Sequence, residues 1–344
     1  MQKINTSASS IPVDLFTTIP QSVEFEGTSF LKVIRRISQQ SESNGYKGVL
    51  IYSDNRLADP WTLAGEILSE TTQLIPMIAL QPVYMHPYTV AKKISTLGLL
   101  YNRPVALNLI AGGFVNDLKA LGDQTDHDKR YDRLVEYAEI IQQLVSSDRP
   151  VSYDGHFYQI SNIKLQPGLP VELQPTYYLS GSSEKAKESA ARLGAFLIEY
   201  PEPARTYTKS VSREPGSIDG IRMGILARET REEAWESAHR RFPETRSGEL
   251  SHILADRVSD SEWHRTLSRQ TGQQSNDGQV YWLDPFKYYH TFCPYLVGDY
   301  AEVAKELSTY LNEGCHTCIL DIPVSEIDLQ STVKVFEMAQ EYQM

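Results

Sequence analysis

The sequence predicts an α/β protein, a single (β/α)8 barrel of the TIM type that carries insertions. Short apolar segments alternate with longer amphipathic ones through most of the 344 residues, as is typical of parallel strands with helices outside them. The alternation recurs eight times, and eight strand–helix units in a chain of this length fit a closed barrel. An open, doubly wound sheet is the alternative. We find no repeat and no low-complexity linker, which favours one domain over residues 1–344.

Eight segments have the length and composition of buried strands. They are rich in apolar and β-branched residues and are bounded by turn-forming residues. In chain order they span 13–19, 46–52, 74–80, 105–110, 176–179, 195–199, 221–227 and 318–322. A further alternating stretch, 151–160, contains an Asp-Gly turn and predicts a small hairpin outside the barrel.

The segments between the strands repeat apolar residues at spacings of three and four, which predicts helices with one buried face. They span 29–43, 61–70, 87–100, 129–145, 184–193, 231–241, 301–311 and 333–342. Asp59 and Pro60 supply an N-cap and a first-turn proline for the second helix, and Gly45 stands just past the end of the first.

The stretch 242–289 breaks the alternation because it contains no clear strand and includes the polar, glycine-rich segment 272–278. Connections this long are usually functional or disordered. It follows the seventh strand and would therefore lie at the catalytic face of a barrel. We interpret it as a mobile lid; a helical insertion without such a role is the alternative.

Composition excludes several classes of function. The chain holds 33 Lys and Arg against 44 Asp and Glu, a net charge of −11, which argues against nucleic acid or an anionic membrane as the main partner. Three cysteines are too few for a disulfide framework. The first ten residues lack the apolar core of a signal peptide, and no run of 18 apolar residues occurs. These observations favour a cytoplasmic protein.

A candidate anion site follows the fifth strand, where Gly181, Ser182 and Ser183 precede a helix. Free backbone N–H groups, two hydroxyls and the helix dipole together suit a phosphate. The competing interpretation is an ordinary N-cap formed by one of the two serines.

Two further groups of residues would lie at the same end of the barrel. His127, Arg130 and Tyr131 stand at the start of the fourth predicted long helix and could contact a phosphate, or could simply form a charged first turn. Asn108 and Ala111 end the fourth strand beside two glycines. An amide there can face the edge of a heterocycle, and glycines let a flat ring approach the backbone.

The remaining candidates are single residues. His86, after the third strand, is a possible general acid or base, or a solvent-facing residue at a helix start. Arg222 lies inside the seventh strand, where a charge needs an anion or a carboxylate partner. Cys315 and Cys318 imitate a metal or redox pair, but no second Cys/His cluster completes a site, so we predict no metal.

The chain resembles the bacterial-luciferase-like flavin monooxygenases, and within them the alkanesulfonate monooxygenase branch. The resemblance lies in six segments that occur in family order over about 250 residues: GVLIYSDNRLADPW at 48–61, NLIAGG at 108–113, HDKRY at 127–131, YLSGSSE at 178–184, IRMGILARET at 221–230 and YLVG at 295–298.

The resemblance implies a barrel enzyme that uses reduced FMN and O2, with the flavin supplied by a separate NAD(P)H:flavin reductase. It implies an FMN phosphate on Gly181, Ser182, Ser183 and Tyr131. The isoalloxazine ring would lie near Asn108, Ala111 and His127. It also implies a homo-oligomer and a lid that shields the reacting flavin from water.

The substrate side departs from the sulfonate-cleaving branch, although Arg222 is retained. Four positions differ: Leu57 stands for a Cys, Gly224 for a His, Tyr200 for a Trp, and Tyr289 or His290 for an Arg. Three segments are more similar to luciferase-like oxygenases encoded with polyketide and nonribosomal peptide pathways, which act on acyl or aminoacyl groups bound to a carrier protein: YSDNRLADPW at 52–61, QPVYMHPYTVAKK at 81–93 and HDKRYDRLVEY at 127–137.

The sequence therefore predicts a two-component FMN-dependent monooxygenase acting on a small organic substrate, with a carrier-bound acyl or aminoacyl group as the expected form. Arg222 would bind an anion or steady the oxygenated flavin, and His86 and His290 are the acid–base candidates. Docking of an acidic carrier would need a basic patch, for which Lys92-Lys93 and Arg240-Arg241 are candidates. Alkanesulfonate cleavage and a flavin-binding protein without turnover are the alternatives.

Overall fold

A computed structural model describes residues 13–207, 218–259, 261–271 and 279–342. Its centre is a closed barrel of eight parallel strands, as the sequence predicts. Its strands are β1 (Asp14–Thr18), β2 (Gly48–Ile51), β3 (Ile75–Leu80), β4 (Ala106–Leu109), β7 (Thr176–Ser180), β8 (Phe196–Glu199), β9 (Ile218–Arg228) and β12 (Thr317–Leu320). Each pairs with the next in this order, and β12 returns to β1.

Helices cover the outside of the barrel, and all eight predicted helices are present. In chain order the helices α1 to α12 span Ser29–Ser43, Pro60–Glu70, Pro87–Tyr101, Val115–Ala120, His127–Ser146, Glu184–Leu193, Arg231–Arg241, Arg246–Val258, Glu262–Thr271, Asp284–Lys287, Tyr300–Asn312 and Glu326–Glu341. None of the helices in these ranges is long and apolar enough to cross a bilayer.

Strand β9 is longer than the strands beside it and has two functions. Its first half pairs with β8 and β12 and closes the barrel; the pairing with β8 shifts register between Leu197 and Ile198. Its second half continues beyond the barrel and pairs in parallel with β11, Tyr295–Asp299. The sequence analysis predicted no strand at β11.

The long insertion follows β9, at the position that the sequence predicts. It is mainly helical, with α8, α9 and α10 in succession. The short strand β10, Tyr281–Trp282, pairs antiparallel with β11, which corrects the expectation of no strand before residue 289. The polar stretch 272–278 lies outside the described residues. The predicted hairpin is formed by β5, Val151–Asp154, and β6, Gln159–Ile163, in a separate two-stranded sheet.

The barrel interior is filled by side chains from successive strands. Phe16, Leu50, Met77 and Tyr178 belong to one buried cluster, separate from the larger cluster between the sheet and the helices. This packing needs a glycine at the start of β2. A Cβ atom at Gly48 would lie 2.2 Å from the Ile75 carbonyl oxygen and 2.5 Å from the Phe16 ring. The Phe16 ring therefore closes the bottom of the barrel by filling the space that a side chain at position 48 would need.

Replacing Gly48 with Ala should lower the free energy of unfolding by about 2–3 kcal/mol, because the new methyl group must displace a packed ring or a strand backbone. Urea denaturation followed by circular dichroism measures the change. Gly168→Ala is the matched control, since an added Cβ there has no atom within 4 Å. Equal stability of the two variants would contradict this account of the packing.

Candidate active site

The carboxyl ends of the barrel strands open into a cleft with two adjoining pockets. We call them the small pocket and the large pocket. Five residues line both: Ile110, Gly113, Ser180, Ser261 and Trp263. Ile110 and Gly113 follow β4, Ser180 is the last residue of β7, and the other two come from the insertion. The cleft is thus a continuous site built jointly by the barrel rim and the insertion.

The small pocket collects the residues for which the sequence predicts a phosphate. Its lining includes Gly181, Ser182 and Ser183 after β7, together with His127 and Tyr131 from the first turn of α5. Ala111, two residues after β4, lines the same pocket. The structure therefore brings six of the seven predicted cofactor residues to one pocket.

The start of α6 has the donors that an anion needs. Ser183 is the N-cap, because its hydroxyl accepts a hydrogen bond from the Ala186 N–H at 3.2 Å. The neighbouring Ser182 hydroxyl oxygen is buried and has no hydrogen-bond partner among the described residues. A buried hydroxyl without a partner is costly unless something else binds it. The local geometry supports both interpretations of these serines: one caps the helix and the other is available to a ligand.

Gly181 keeps this pocket open. A Cβ atom at this position would lie 2.8 Å from the Ala186 side chain and 3.0 Å from the Tyr131 hydroxyl. The Tyr131 ring in turn packs edge-on against the His127 imidazole, with centroids 5.3 Å apart. The His127 Nδ1 lies 2.8 Å from a carboxylate oxygen of Asp128. A phosphate group fits this set of hydroxyls and helix-terminal N–H groups.

The seventh predicted cofactor residue, Asn108, lies in the large pocket. Its side chain is buried, and its Oδ1 accepts a hydrogen bond from the Ser180 hydroxyl at 2.9 Å. That bond fixes the orientation of the amide at the junction of the two pockets. The amide can therefore face the edge of a ring bound in the large pocket.

Arg222 brings a buried positive charge to the large pocket. Its side chain is 5% exposed, donates a hydrogen bond to the Tyr52 hydroxyl, and lies 5.0 Å from the centre of the Tyr52 ring. Burial opposes the charge, but neighbouring groups, Tyr52 and Tyr200 foremost, raise its pKa above the ordinary value. The Nε atom has no hydrogen-bond partner within the described part of the chain. The pocket thus presents a charged donor to a bound molecule.

The sequence analysis missed several residues that line the large pocket. Tyr52, Tyr84 and Trp263 give it an aromatic wall, and Asp54 and Asp117 give it carboxylates. Burial, followed by the charge of Asp54, raises the pKa of Asp117. Tyr52 and Asp54 come just after β2. The expectation that residues at the carboxyl ends of barrel strands line the site, which identified Asn108 and Ala111, could therefore have identified them too. Trp263 carried no comparable signal.

The two predicted acid–base histidines lie elsewhere, so this part of the prediction is corrected. His86 is exposed and caps α3, with its Nδ1 accepting the Tyr88 N–H at 3.2 Å. His290 is exposed, and its Nε2 contacts the Pro243 carbonyl oxygen at 2.8 Å. Neither lines a described pocket. Proline at the first position of α3 and a cap before it explain the location of His86.

The departures from the sulfonate-cleaving pattern have a structural reason at one position. A Cβ atom at Gly224 would lie 2.1 Å from the Tyr295 ring, so no histidine fits there. Tyr295 is fixed by its hydroxyl, which donates to Asp321 at 2.7 Å. Leu57 and Tyr200 do line the large pocket. The wall of the pocket is therefore built differently from that pattern.

Comparisons with known proteins identify relatives of this chain. The family model described as luciferase-like monooxygenase matches residues 11–317. The 4-(gamma-L-glutamylamino)butanoyl-[BtrI acyl-carrier protein] monooxygenase BtrO of Niallia circulans is 33% identical over 321 residues, which cover 92% of this chain and 94% of that protein.

Two solved structures have the same fold. The long-chain alkane monooxygenase LadA has a TM-score of 0.71 at 16% identity, with 96% of this chain and 91% of that chain covered. The EDTA monooxygenase EmoA of Chelativorans sp. BNC1 has a TM-score of 0.70 at 12% identity, with 96% and 94% covered.

Replacing Tyr52 with Phe should lower the free energy of unfolding by about 1.5–3 kcal/mol, because it removes the hydroxyl that accepts a bond from the buried Arg222. Tyr84→Phe is the control. It removes an exposed hydroxyl that donates to Asn55 and should change stability by less than about 1 kcal/mol. Urea denaturation measures both; a Tyr52→Phe variant as stable as wild type would show that the pair does not matter.

Proposed function

Because this chain belongs to the luciferase-like monooxygenase family and is a flavin-dependent monooxygenase, we propose that it uses reduced FMN and O2 to oxygenate an acyl or aminoacyl group held on a carrier protein. The observation that carries the choice of FMN is the small pocket. The phosphate monoester is the part of FMN that needs an anion-binding site. The buried Ser182 hydroxyl lies where this phosphate would bind.

The proposal assigns tasks to four parts of the cleft. Ser182, Tyr131 and the N–H groups at the start of α6 would hold the phosphate. Asn108 would orient the ring system, and Arg222 would place a permanent positive charge near the reacting atoms. When bound, reduced flavin supplies the electrons that activate O2, so the protein needs no redox group of its own. The insertion would exclude water from the cleft.

The carrier-bound form of the substrate rests on the relative, whose name specifies an acyl-carrier protein, and on the altered pocket wall at Leu57 and Tyr200. The two basic pairs that the sequence suggests for docking do not support a carrier-binding surface. Lys92 donates to the Gln166 carbonyl oxygen, and Lys93 lies 5.9 Å from the centre of the Trp61 ring. Arg240 pairs with Glu236, and Arg241 donates to the Ile322 carbonyl oxygen. Each of these cations already has a partner within the chain.

Other parts of the proposal carry over from the sequence, either from the family resemblance or from composition and chain organisation. They are a separate NAD(P)H:flavin reductase, assembly as a homo-oligomer, a cytoplasmic location, and one domain over residues 1–344 with 242–289 as a lid. The described part of the insertion supports the lid, since Ser261 and Trp263 reach both pockets.

Mass spectrometry of an acylated carrier protein tests the activity. The protein is mixed with a flavin reductase, FMN, NADH, O2 and a carrier loaded with a 4-aminobutanoyl or butanoyl group. Gain of one oxygen atom on the acyl group, absent without FMN, is the expected result. Sulfite release from an alkanesulfonate instead would favour desulfonation, and no product with any acyl carrier despite FMN binding would favour a flavin-binding protein without turnover.

Ser182→Ala should weaken FMN binding by about 10- to 100-fold, the effect of losing a hydrogen bond to a charged group. Fluorescence titration of the flavin measures the dissociation constant. Ser189→Ala is the matched control, because Ser189 is a buried serine of the following helix, α6, whose hydroxyl donates to the Lys185 carbonyl oxygen outside the pocket. Equal affinity of both variants and wild type would remove the phosphate assignment.

A further inference from the structure

We infer that Asp117, supported by Asp54, binds the ammonium group of the acyl substrate, so that the enzyme prefers an amine-bearing acyl chain to a plain alkyl one. This inference rests on the proposed function and names the substrate class of the same site more closely. It starts from the charged groups of the large pocket. Both carboxylates line this pocket, and the proposed function assigns neither of them to the flavin.

Three loops at the barrel rim form one hydrogen-bonded wall of the large pocket. Asn55 follows β2, Tyr84 follows β3, and Asp117 lies in α4, which follows β4. The Tyr84 hydroxyl donates to the Asn55 Oδ1 at 2.8 Å, and the Asn55 Nδ2 donates to the Asp117 carbonyl oxygen at 2.9 Å. These bonds fix the main chain of Asp117 at the pocket and do not involve its carboxylate.

The Asp117 side chain is half-buried, and its carboxylate takes part in no hydrogen bond or ion pair with any of the described residues. Asp54 differs, because its Oδ1 lies 3.3 Å from the Nε of the exposed Arg56. Burial, followed by the charge of Asp54, raises the pKa of Asp117, and Arg56 opposes this shift with a smaller effect. A cation bound beside Asp117 would favour its ionised form and offset the repulsion between the two carboxylates.

Arg222 is a second, independent sign that this pocket holds a ligand. It lines the pocket, is 5% exposed, and has a buried Nε with no hydrogen-bond partner in the described part of the chain. A guanidinium has several N–H donors, so Arg222 can contact the flavin ring and an acyl group together. Arg222 lies on β9, whereas Asp54 and Asp117 follow β2 and β4, each three strands from β9 around the barrel. The pocket therefore has a positive side and a negative side.

A ligand that satisfies both sides has a hydrogen-bond acceptor at one end and a cation at the other. Leu57, Val83 and Ile110 add apolar lining to the same pocket, which suits a methylene chain. An acyl group whose carbonyl oxygen faces Arg222 and whose ammonium group faces Asp117 has this form. A plain alkyl end would remove water from the Asp117 carboxylate without replacing it by a partner. The charges of the pocket thus favour the aminoacyl substrate over the acyl one.

Binding of two matched ligands tests the inference. The probes are pantetheine analogues that carry a 4-aminobutanoyl or a pentanoyl group through an amide in place of the thioester, so that they differ by an ammonium group in place of a methyl group. Isothermal titration calorimetry of the FMN-bound protein should show tighter binding of the amine by about 10-fold or more, the effect of a hydrogen bond to a charged group. Asp117→Asn should remove this preference by weakening amine binding about 10- to 100-fold, with pentanoyl binding retained.

Asp14→Asn is the matched control. Asp14 is a half-buried aspartate that pairs with Lys47 at the start of β1, at the end of the barrel opposite the cleft. This variant should keep the wild-type preference for the amine. A merely structural role of Asp117 in the first turn of α4 would weaken binding of both analogues alike and would overturn the inference.

The outcomes separate this inference from the proposed function. If FMN-bound wild type binds the two analogues equally, or binds neither, Asp117 forms no ammonium site. If Asp117→Asn weakens FMN binding and keeps the preference for the amine, Asp117 contacts the flavin and the inference is wrong. Oxygenation of pentanoyl and 4-aminobutanoyl carriers at equal rates would leave the proposed function in place and contradict the inference alone. Oxygenation of neither carrier would overturn the proposed function.

Discussion

Closure of the barrel by β9 is the constraint on which the rest of the structure depends. Its first half completes the cylinder between β8 and β12, so all eight parallel strands end at one rim. Its continuation beyond the barrel supports β11 and, through β11, the end of the insertion. The same strand carries Arg222 into the pocket at the rim. One element thus closes the core, places a charge in the site, and supports the end of the insertion.

The site itself is defined by polar groups that the fold leaves without partners. A buried serine hydroxyl and a buried guanidinium nitrogen each lack a hydrogen bond among the described residues, and they lie in adjoining pockets. Leaving such groups unpaired reduces the stability of the free protein. A ligand with a phosphate at one end and a polar ring at the other would satisfy both ends of the cleft. FMN has this form, which connects the energetics of the fold to the proposed cofactor.

Periodic patterns predicted the barrel well because the alternation of buried strands and amphipathic helices is a local property. The grouping of the small-pocket residues was also predictable, since Gly181 to Ser183 and Ala111 follow strands of one parallel sheet, and Tyr131 belongs to a helix that starts at the same rim. The last helix begins at Glu326, seven residues before the predicted start, because the sequence analysis did not recognise the Ser325 cap, whose hydroxyl accepts a hydrogen bond from the Asp328 N–H.

Contacts made across the fold were not predictable. The bond from Arg222 to Tyr52, the stack of Trp263 on Tyr200 and the exclusion of a side chain at Gly224 by Tyr295 depend on chain separations that no local pattern records. For the same reason His86 and His290 were placed at the site by their residue type and not by their position.

The measurement that tests the central claim most directly is an anaerobic titration of the protein with reduced and oxidised FMN, followed by mixing of the reduced complex with O2 in a stopped-flow spectrometer. The account predicts tighter binding of reduced FMN and a transient absorbance that belongs to neither reduced nor oxidised flavin. Equal or absent binding of the two forms, with direct conversion to oxidised flavin at the rate of free FMN, would contradict it.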